Sequence, residues 1–279
     1  MTDLHTRPST DLDTHPMTTT PARSPVTPDP PPWDRTTVLS QQWCELAYFH
    51  WPYDPAVVQA TLPPGLTVDT FDGKAWVGLI PFEMRNVRLG PIPAPKPLAN
   101  FIEINVRTYV VDRHGRRAVW FYSLDVPRLP IVAVARTVFS LPYQWADASH
   151  EVNGDRHRYR MTRRHRPGRG HGRNRSDAPV ADIDFTVGPA IKPHEVTELD
   201  HFLSARWALI TRRGDRLLHG RVDHPRWPLH RVEQATVNQN VIEAAGLPTP
   251  VGSPRALYSP GVDVELAWLR AVDEPEEGR

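Results

Sequence analysis

Glu103, Asn105 and Arg107 stand at every second position of one run. An acid, an amide and a cation at that spacing could bind a small polar molecule or move a proton on it. The run, at 100–125, reads NFIEINVRTYVVDRHGRRAVWFYSLD, and in it Ile102, Ile104, Val106, Thr108 and Val110 alternate with Glu103, Asn105, Arg107 and Tyr109. Alternation with period two is a strand with two unlike faces. The three polar side chains then project in one direction, about 6.6 Å apart. If they face solvent, they are the outside of an ordinary half-exposed strand, the reading that the residues alone favour. If they face a barrel or cleft, they form a polar site. Glu103 and Arg107 enter together or not at all unless a bulge intervenes.

The elements that must position this face are short and punctuated. A turn at 112–116 containing Gly115 predicts a hairpin, with 118–124 as the returning strand that carries Tyr122. Upstream, Asp54 and Pro55 suit the cap and first position of a short helix over 56–61. Strands at 66–71 and 75–82 flank the Asp72-Gly73 turn, and 84–99 reads as a proline-studded loop. Downstream, 127–139 is apolar enough for a packed helix. The polar stretch 151–164 has its strand partner at 178–187. A helix over 195–207, a hairpin of 208–211 with 217–222, a helix over 232–245 closed by Gly246 and a last strand at 263–269 complete the pattern. Tyr258 and Ser259, before Pro260-Gly261, read as a turn. Hairpins joined by short helices point to an α+β fold with a curled or closed antiparallel sheet.

Composition sets the limits. The chain has 279 residues, 31 of them proline, and a formal net charge of only +1. Long helices are therefore not expected, and no global field calls for an anionic partner. Residues 1–36, rich in Thr, Pro and Asp, are too polar to offset their ordering entropy and are expected to be a disordered tail. Residues 37–270 form a single domain, and 271–279 an acidic C-terminal tail. Cys44 is the only cysteine, which rules out an intrachain disulfide and a cysteine metal cluster. No apolar run long enough to span a bilayer and no secretory leader is visible, so cytoplasmic is the default. No membrane partner and no cofactor are expected.

Other constellations carry less. No glycine-rich phosphate loop or GxSxG elbow is present. His224 and His230 flank HPRWPLH, but a pair six residues apart and broken by prolines lacks the local spacing of a zinc site, so no metal is assigned. The run 163–175 (RRHRPGRGHGRNR) is the one local basic feature. It lacks the interleaved aromatics of a single-strand binder and reads as a solvated hairpin loop.

Several blocks resemble the YqjF-like family of bacterial proteins: HWPYDPAVVQATLPPGLTVDTFDGKAWVGLIPF (50–82), FIEINVRTYVVDRHGRRAVWFYSLD (101–125), RLLHGRVDHPRWPLH (216–230) and LYSPGVDVELAWL (257–269). The likeness spans about 40–270. That family is similar to acetoacetate decarboxylases, so the resemblance implies a curled, largely antiparallel β-barrel with an internal cavity and a few peripheral helices. It also turns the face of Glu103 inward, because a cavity glutamate of those enzymes corresponds to Glu103. The decarboxylases use a buried lysine with a lowered pKa to form a Schiff base. In the equivalent block here, LDVPRLPIVAVARTVFSLPYQW (124–145), that lysine falls on Tyr143 and a second one on Gln144. The family's arginine before a helix start falls near Pro52. Lys74, Lys96 and Lys192 are the only lysines, and all sit in turn or loop contexts. The resemblance thus implies the fold and cavity without Schiff-base chemistry.

Three functions follow. The first is a barrel that binds a small carboxylate or carbonyl metabolite through Glu103, Asn105, Arg107, Tyr122, Tyr143 and Gln144. The second is an enzyme, lyase- or isomerase-like, with Glu103 as general acid or base and Tyr143 as its partner. The third and weakest is nucleic-acid binding through 163–175. A structural Glu103–Arg107 ion pair would satisfy the cost of a buried carboxylate with no chemistry. Related barrels assemble into oligomers, so a homo-oligomer stays open.

Overall fold

The structure is a computed structural model that describes residues 22–164 and 178–274. All of its strands join in one sheet. The first seven are β1 (Thr37–Tyr53), β2 (Leu66–Val68), β3 (Thr70–Phe71), β4 (Lys74–Leu89), β5 (Ile92–Pro93), β6 (Phe101–Asp112) and β7 (Arg117–Val126). The remaining ones are β8 (Tyr143–Asn153), β9 (Arg156–Arg163), β10 (Val180–Ala190), β11 (Ala208–Arg213), β12 (Arg216–Asp223), β13 (His230–Gln239), β14 (Arg255–Ala267) and β15 (Arg270–Ala271). Short helices lie between them: α1 (Pro55–Gln59), α2 (Lys96–Ala99), α3 (Leu129–Val138), α4 (Glu198–Ser204) and α5 (Val241–Ala244).

The pairings close on themselves twice. One ring runs β7–β8–β9–β10–β13–β14–β1–β4–β6 and returns to β7. A second runs β12–β11–β7–β6–β4–β1–β14 and returns to β12. The two rings share β1, β4, β6, β7 and β14, so the central parts of these strands form a wall buried on both faces. Ile104 and Val106 of β6, Val77 and Leu79 of β4 and Phe49 of β1 meet Tyr159, Ile183 and Phe185 of β9 and β10 in the packed core of the first ring. The opposite face of the same wall lines a cavity inside the second ring.

Local chemistry explains the turns and caps. At the β6–β7 hairpin, Asp112 Oδ1 accepts from the backbone N–H of His114 at 2.9 Å and of Arg116 at 3.0 Å. Gly115 supplies the left-handed φ of 79°. Asp54 Oδ1 caps α1 by accepting from Ala56 N at 2.8 Å, with Pro55 in the first turn, as its sequence predicts.

Four expectations change. The sheet is mixed, because β7 runs parallel to both β8 and β11. α3 carries the chain back over the sheet between β7 and β8, and such a crossover makes its two strands parallel. The stretch 84–99 is no loop: β4 continues to Leu89 beside β1, turns into β5 and is followed by α2. Most of 232–245 is strand β13, with only α5 helical. The register from Ala181↔Gln239 to Val187↔Val232 satisfies the edge of β10, and this tertiary pairing overrides a locally helical pattern. Tyr258 and Ser259 form no turn but pair with Ala47 and Leu46 inside β14. There Gly261, at φ 134°, passes so close to β1 that a Cβ would stand 2.4 Å from Trp43 O.

Residues 22–36 contain no helix or strand and lie along the barrel. Arg117 Nε donates to Ser24 O at 2.6 Å, Trp207 Nε1 to Thr27 O at 3.1 Å and Arg221 Nη1 to Asp34 Oδ1 at 2.9 Å. Of the basic run, Arg163 pairs with Asp125 at 2.7 Å and Arg164 with Asp147. The remainder of that run lies outside the described residues, as do 1–21 and 275–279.

Candidate functional site

The second ring encloses a cavity of about 280 Å³. Its mouth lies among α2, α3 and the far end of β4, where Leu89, Pro130 and Val134 are exposed. From the mouth, Phe101, Glu103, Asn105 and Arg107 of β6 step inward at every second residue. Glu103, Asn105 and Arg107 are only 2%, 3% and 7% exposed. The solvent-facing reading of this strand is therefore overturned: both of its faces are buried because it belongs to both rings. The sequence alternation is that of a core face against a cavity face.

Glu103 holds the middle of the ladder. Tyr143 Oη donates to Glu103 Oε2 at 2.8 Å, and Asn105 Nδ2 stands 3.4 Å from Oε1. Burial pushes the carboxyl up to about 7, against the lowering effect of the Tyr143 and Asn105 hydrogen bonds. The phenol of Tyr143 is itself driven well up by burial and by the neighbouring Glu103. A carboxyl with a midpoint near neutrality can both accept and return a proton.

Arg107 forms no ion pair among the described residues, so the structural Glu103–Arg107 pair is not made. Its Nη2 reaches Leu203 O at 3.5 Å, and its guanidinium sits 5.5 Å from the ring centre of Tyr48 and 5.7 Å from that of Tyr109. Arg206 enters the same cavity from the segment after α4. Its Nη1 donates to Asp69 Oδ2 at 2.7 Å and its Nε to Phe202 O at 2.8 Å. Four buried polar atoms of the lining have no protein partner: Trp43 Nε1, Asn105 Oδ1, Arg107 Nε and Arg206 Nη2. Each unsatisfied group costs about 1–3 kcal/mol in an apolar interior. All four belong to residues that line this one cavity.

Of the residues singled out from sequence, Glu103, Asn105, Arg107 and Tyr143 line this cavity together. Tyr122 and Gln144 do not. Tyr122 lies behind the wall with its Oη 2.7 Å from Thr61 Oγ1, because the preceding Phe121 takes the cavity side. Gln144, next to Tyr143 on β8, accepts from Arg136 Nη2 at 3.0 Å. Lys74, Lys96 and Lys192 are exposed and none of them lines the cavity.

Sequence reasoning missed Arg206, Tyr48 and Trp43 as site residues. Arg206 falls at the end of the stretch 195–207 read as a helix, and nothing local to Trp43 or Tyr48 separates a cavity aromatic from a core one. The sequence offers His224 only as half of a metal-ligand pair with His230. His224 lines the cavity with Nδ1 2.7 Å from Pro225 O, and burial draws it down to about 4, so it is neutral at pH 7. His230 instead meets Gly188 O at 3.1 Å on β10. No group of three or more His, Cys, Asp or Glu gathers in metal-binding geometry among the described residues.

Comparison with known proteins agrees with this architecture. Residues 40–263 match the DUF2071 family, described as an uncharacterized conserved protein. The chain is 32% identical over 237 residues to the uncharacterized protein YqjF of Bacillus subtilis (strain 168), covering 84% of this chain and 92% of that one. Among solved structures it is similar to acetoacetate decarboxylase from Legionella pneumophila, with a TM-score of 0.56 and 14% identity over 87% of this chain and 91% of that one. It is also similar to the enduracididine biosynthesis enzyme MppR complexed with pyruvate, with a TM-score of 0.52 and 14% identity over 85% and 91% of the two chains. The double ring of strands is thus an acetoacetate decarboxylase-like fold, and the chain belongs to the DUF2071 family.

Proposed function

We propose that this protein binds a small metabolite bearing a carboxylate or carbonyl group in the cavity of the second ring, without lysine chemistry. The observation that carries the reading is Arg107, a buried guanidinium with no counter-ion among the described residues, aimed into a cavity beside a carboxyl that is readily neutralised. A permanent cation buried without an anion is costly, and a ligand carboxylate supplies the anion and the bidentate geometry that a guanidinium matches. A relative of the same fold holds pyruvate, a keto acid, which supports a carboxylate of this general kind.

A thermal-shift screen of wild type and Glu103→Gln against keto acids, hydroxy acids and other small carboxylates tests the reading. A ligand that raises the melting temperature of wild type and has a changed effect on Glu103→Gln supports it. If no carboxylate shifts either protein, the reading fails.

The Glu103–Tyr143 contact favours a second reading, in which the bound carbonyl compound is turned over. Glu103, as carboxylate, would remove a proton from the carbon next to the carbonyl. The C–H electron pair would move into a new C=C bond and the carbonyl pair onto oxygen, where the guanidinium of Arg107 or Arg206 would stabilise the charge. Transfer of that proton from Glu103 to the oxygen completes an enolisation; if instead the oxygen pair re-forms the carbonyl and the C=C pair shifts to expel a β-hydroxyl, which takes the proton from Glu103, water leaves and a dehydration is complete. Exchange of the ligand's α-proton for deuterium in heavy water is the direct measurement. Exchange in wild type and none in Glu103→Gln establishes turnover, and binding without exchange limits the protein to binding.

A further inference from the structure

The cavity is polar at one end only. From Glu103 towards the mouth its walls are apolar: Phe82, which pairs with Glu103, then Met84 and Phe101, and Leu89, Leu98 and Val134 at the rim. We propose that the ligand is an amphipathic monocarboxylate whose anionic head lies between Arg107 and Arg206 and whose unbranched apolar chain fills the channel back to the mouth. This rests on the reading above that the cavity takes a carboxylate, and it adds the length and character of the rest of the molecule.

The unsatisfied atoms fix the head. At the deep end Arg107 Nε and Arg206 Nη2 are both donors, whereas Asn105 Oδ1 is the single acceptor left over; Trp43, whose Nε1 is also unsatisfied, pairs with Met84 nearer the mouth. A site with surplus donors wants a group made of acceptors. Ion pairing places it. Arg206 has a carboxylate partner in Asp69, which is fully buried and is shared with Arg117 at 2.5 Å and Arg23 at 3.5 Å. Of the two cavity guanidiniums, Arg107 alone has no carboxylate in ion-pair contact among the described residues, so a single carboxylate head beside it supplies the missing partner.

The walls fix the tail. An acid of three or four carbons could reach Arg107 only by leaving the apolar part of the channel against water. Each methylene laid along that wall removes apolar surface from water on both partners. The rim continues the apolar surface outwards: Leu89 and Val134, both cavity-lining, are each 54% exposed, and Ile92 beside them is 67% exposed. Large side chains left exposed at an opening fit the entry of an apolar chain.

The test is isothermal titration of the full-length protein with butanoate, hexanoate, octanoate and decanoate, each below its micelle threshold, and with decanol as an uncharged control. Affinity should rise about fourfold per added methylene, the equivalent of ~0.8 kcal/mol, until the channel is full. Decanoate should bind at least tenfold more tightly than decanol, and Arg107→Met should erase that difference. Val134→Trp, a change on the exposed rim of α3, should bring the plateau at a shorter chain, and it remains informative if Arg107→Met fails to fold. Affinity for short acids that depends on Arg107 but is flat with chain length would overturn the inference and leave the carboxylate site standing. Equal binding of decanoate and decanol, unchanged in Arg107→Met, would overturn it as mere adsorption to apolar surface. Failure of every acid to bind would remove both.

Discussion

Tyr143 Oη donates to Glu103 Oε2 at 2.8 Å although β7 lies between their strands in the sheet. The bond crosses the cavity wall from β8 to β6 and is the best-formed contact that either side chain makes there. Removing the phenol oxygen in Tyr143→Phe leaves the carboxylate with Asn105 alone. Because that hydrogen bond favours the charged form, the Glu103 midpoint should rise above its present value of about 7. Carbon-13 NMR of the carboxyl against pH reads this directly. The loss of one buried hydrogen bond should cost about 1–2 kcal/mol in urea unfolding.

Glu103 also imposes a pH dependence with a definite sign. Its midpoint is near 4.5 when unfolded and is raised to about 7 by burial when folded. Between those values the folded state holds more protons than the unfolded state, so this group's contribution to stability falls as pH rises. Glu103→Gln cannot ionise and lacks that slope. The melting temperature of the variant relative to wild type should therefore climb from pH 4.5 to pH 7.5 and level off above. A constant difference across that window would show that Glu103 is not held in its neutral form by burial.

Asp69 is the hinge of a second buried network. It accepts from Arg117 Nη1 at 2.5 and 2.6 Å and from Arg206 Nη1 at 2.7 Å with no exposure of its own. Asp69→Asn leaves Arg206, which is 6% exposed, without its anion. Breaking a buried pair from one side costs roughly 3–5 kcal/mol, and chemical denaturation should show a loss of that order. The same variant gives the cavity a second unbalanced cation, so a dianionic ligand should gain affinity relative to a monoanion.

Gly78 is required by its neighbour rather than by its backbone. A Cβ at this position would lie 2.6 Å from His50 Nε2. That nitrogen contacts Tyr109 Oη at 2.6 Å, and the phenol donates to Leu203 O at 2.6 Å. His50 must therefore donate from Nε2, and burial keeps its ring neutral by lowering its pKa well below the usual histidine value. Gly78→Ala should push the imidazole away, break this chain of hydrogen bonds and cost about 1–3 kcal/mol. Thermal unfolding measures the loss. The Tyr109→Phe background should make Gly78→Ala less harmful, because the bond it breaks is already gone.

The acidic side of the stability profile should be set partly by Glu83. Its carboxyl is lowered to about 2, first by the 2.7 Å hydrogen bond with His150 and then by Arg85, against the opposing effect of burial. A carboxylate depressed in the folded state contributes stability above its unfolded value near 4.5, and that contribution is lost as pH falls towards 2. Glu83→Gln should lower the melting temperature at pH 6 and converge with wild type near pH 2.

Much of the scaffold was legible in the chain itself. Period-two alternation marked β6, Gly115 and Asp112 marked the hairpin, Asp54-Pro55 marked the start of α1, and the resembling blocks pointed to the barrel. Apart from the resembling blocks, these are local signals, carried by residues within a turn or two of one another. The same alternation put Glu103, Asn105 and Arg107 on one face, because strand geometry allows nothing else. It could not say what that face meets. Only the closure of two rings on a shared wall buried it, and that depends on pairings such as Val222 with Leu266 and His230 with Tyr258. Arg206 reaches the cavity through Asp69, 137 residues away in sequence. No local pattern encodes such a contact, since the energy that selects it comes from burying a charge beside its partner once the barrel has formed. The strand fate of 232–239 has the same origin: the unpaired edge of β10 decided it, and no propensity of those residues could.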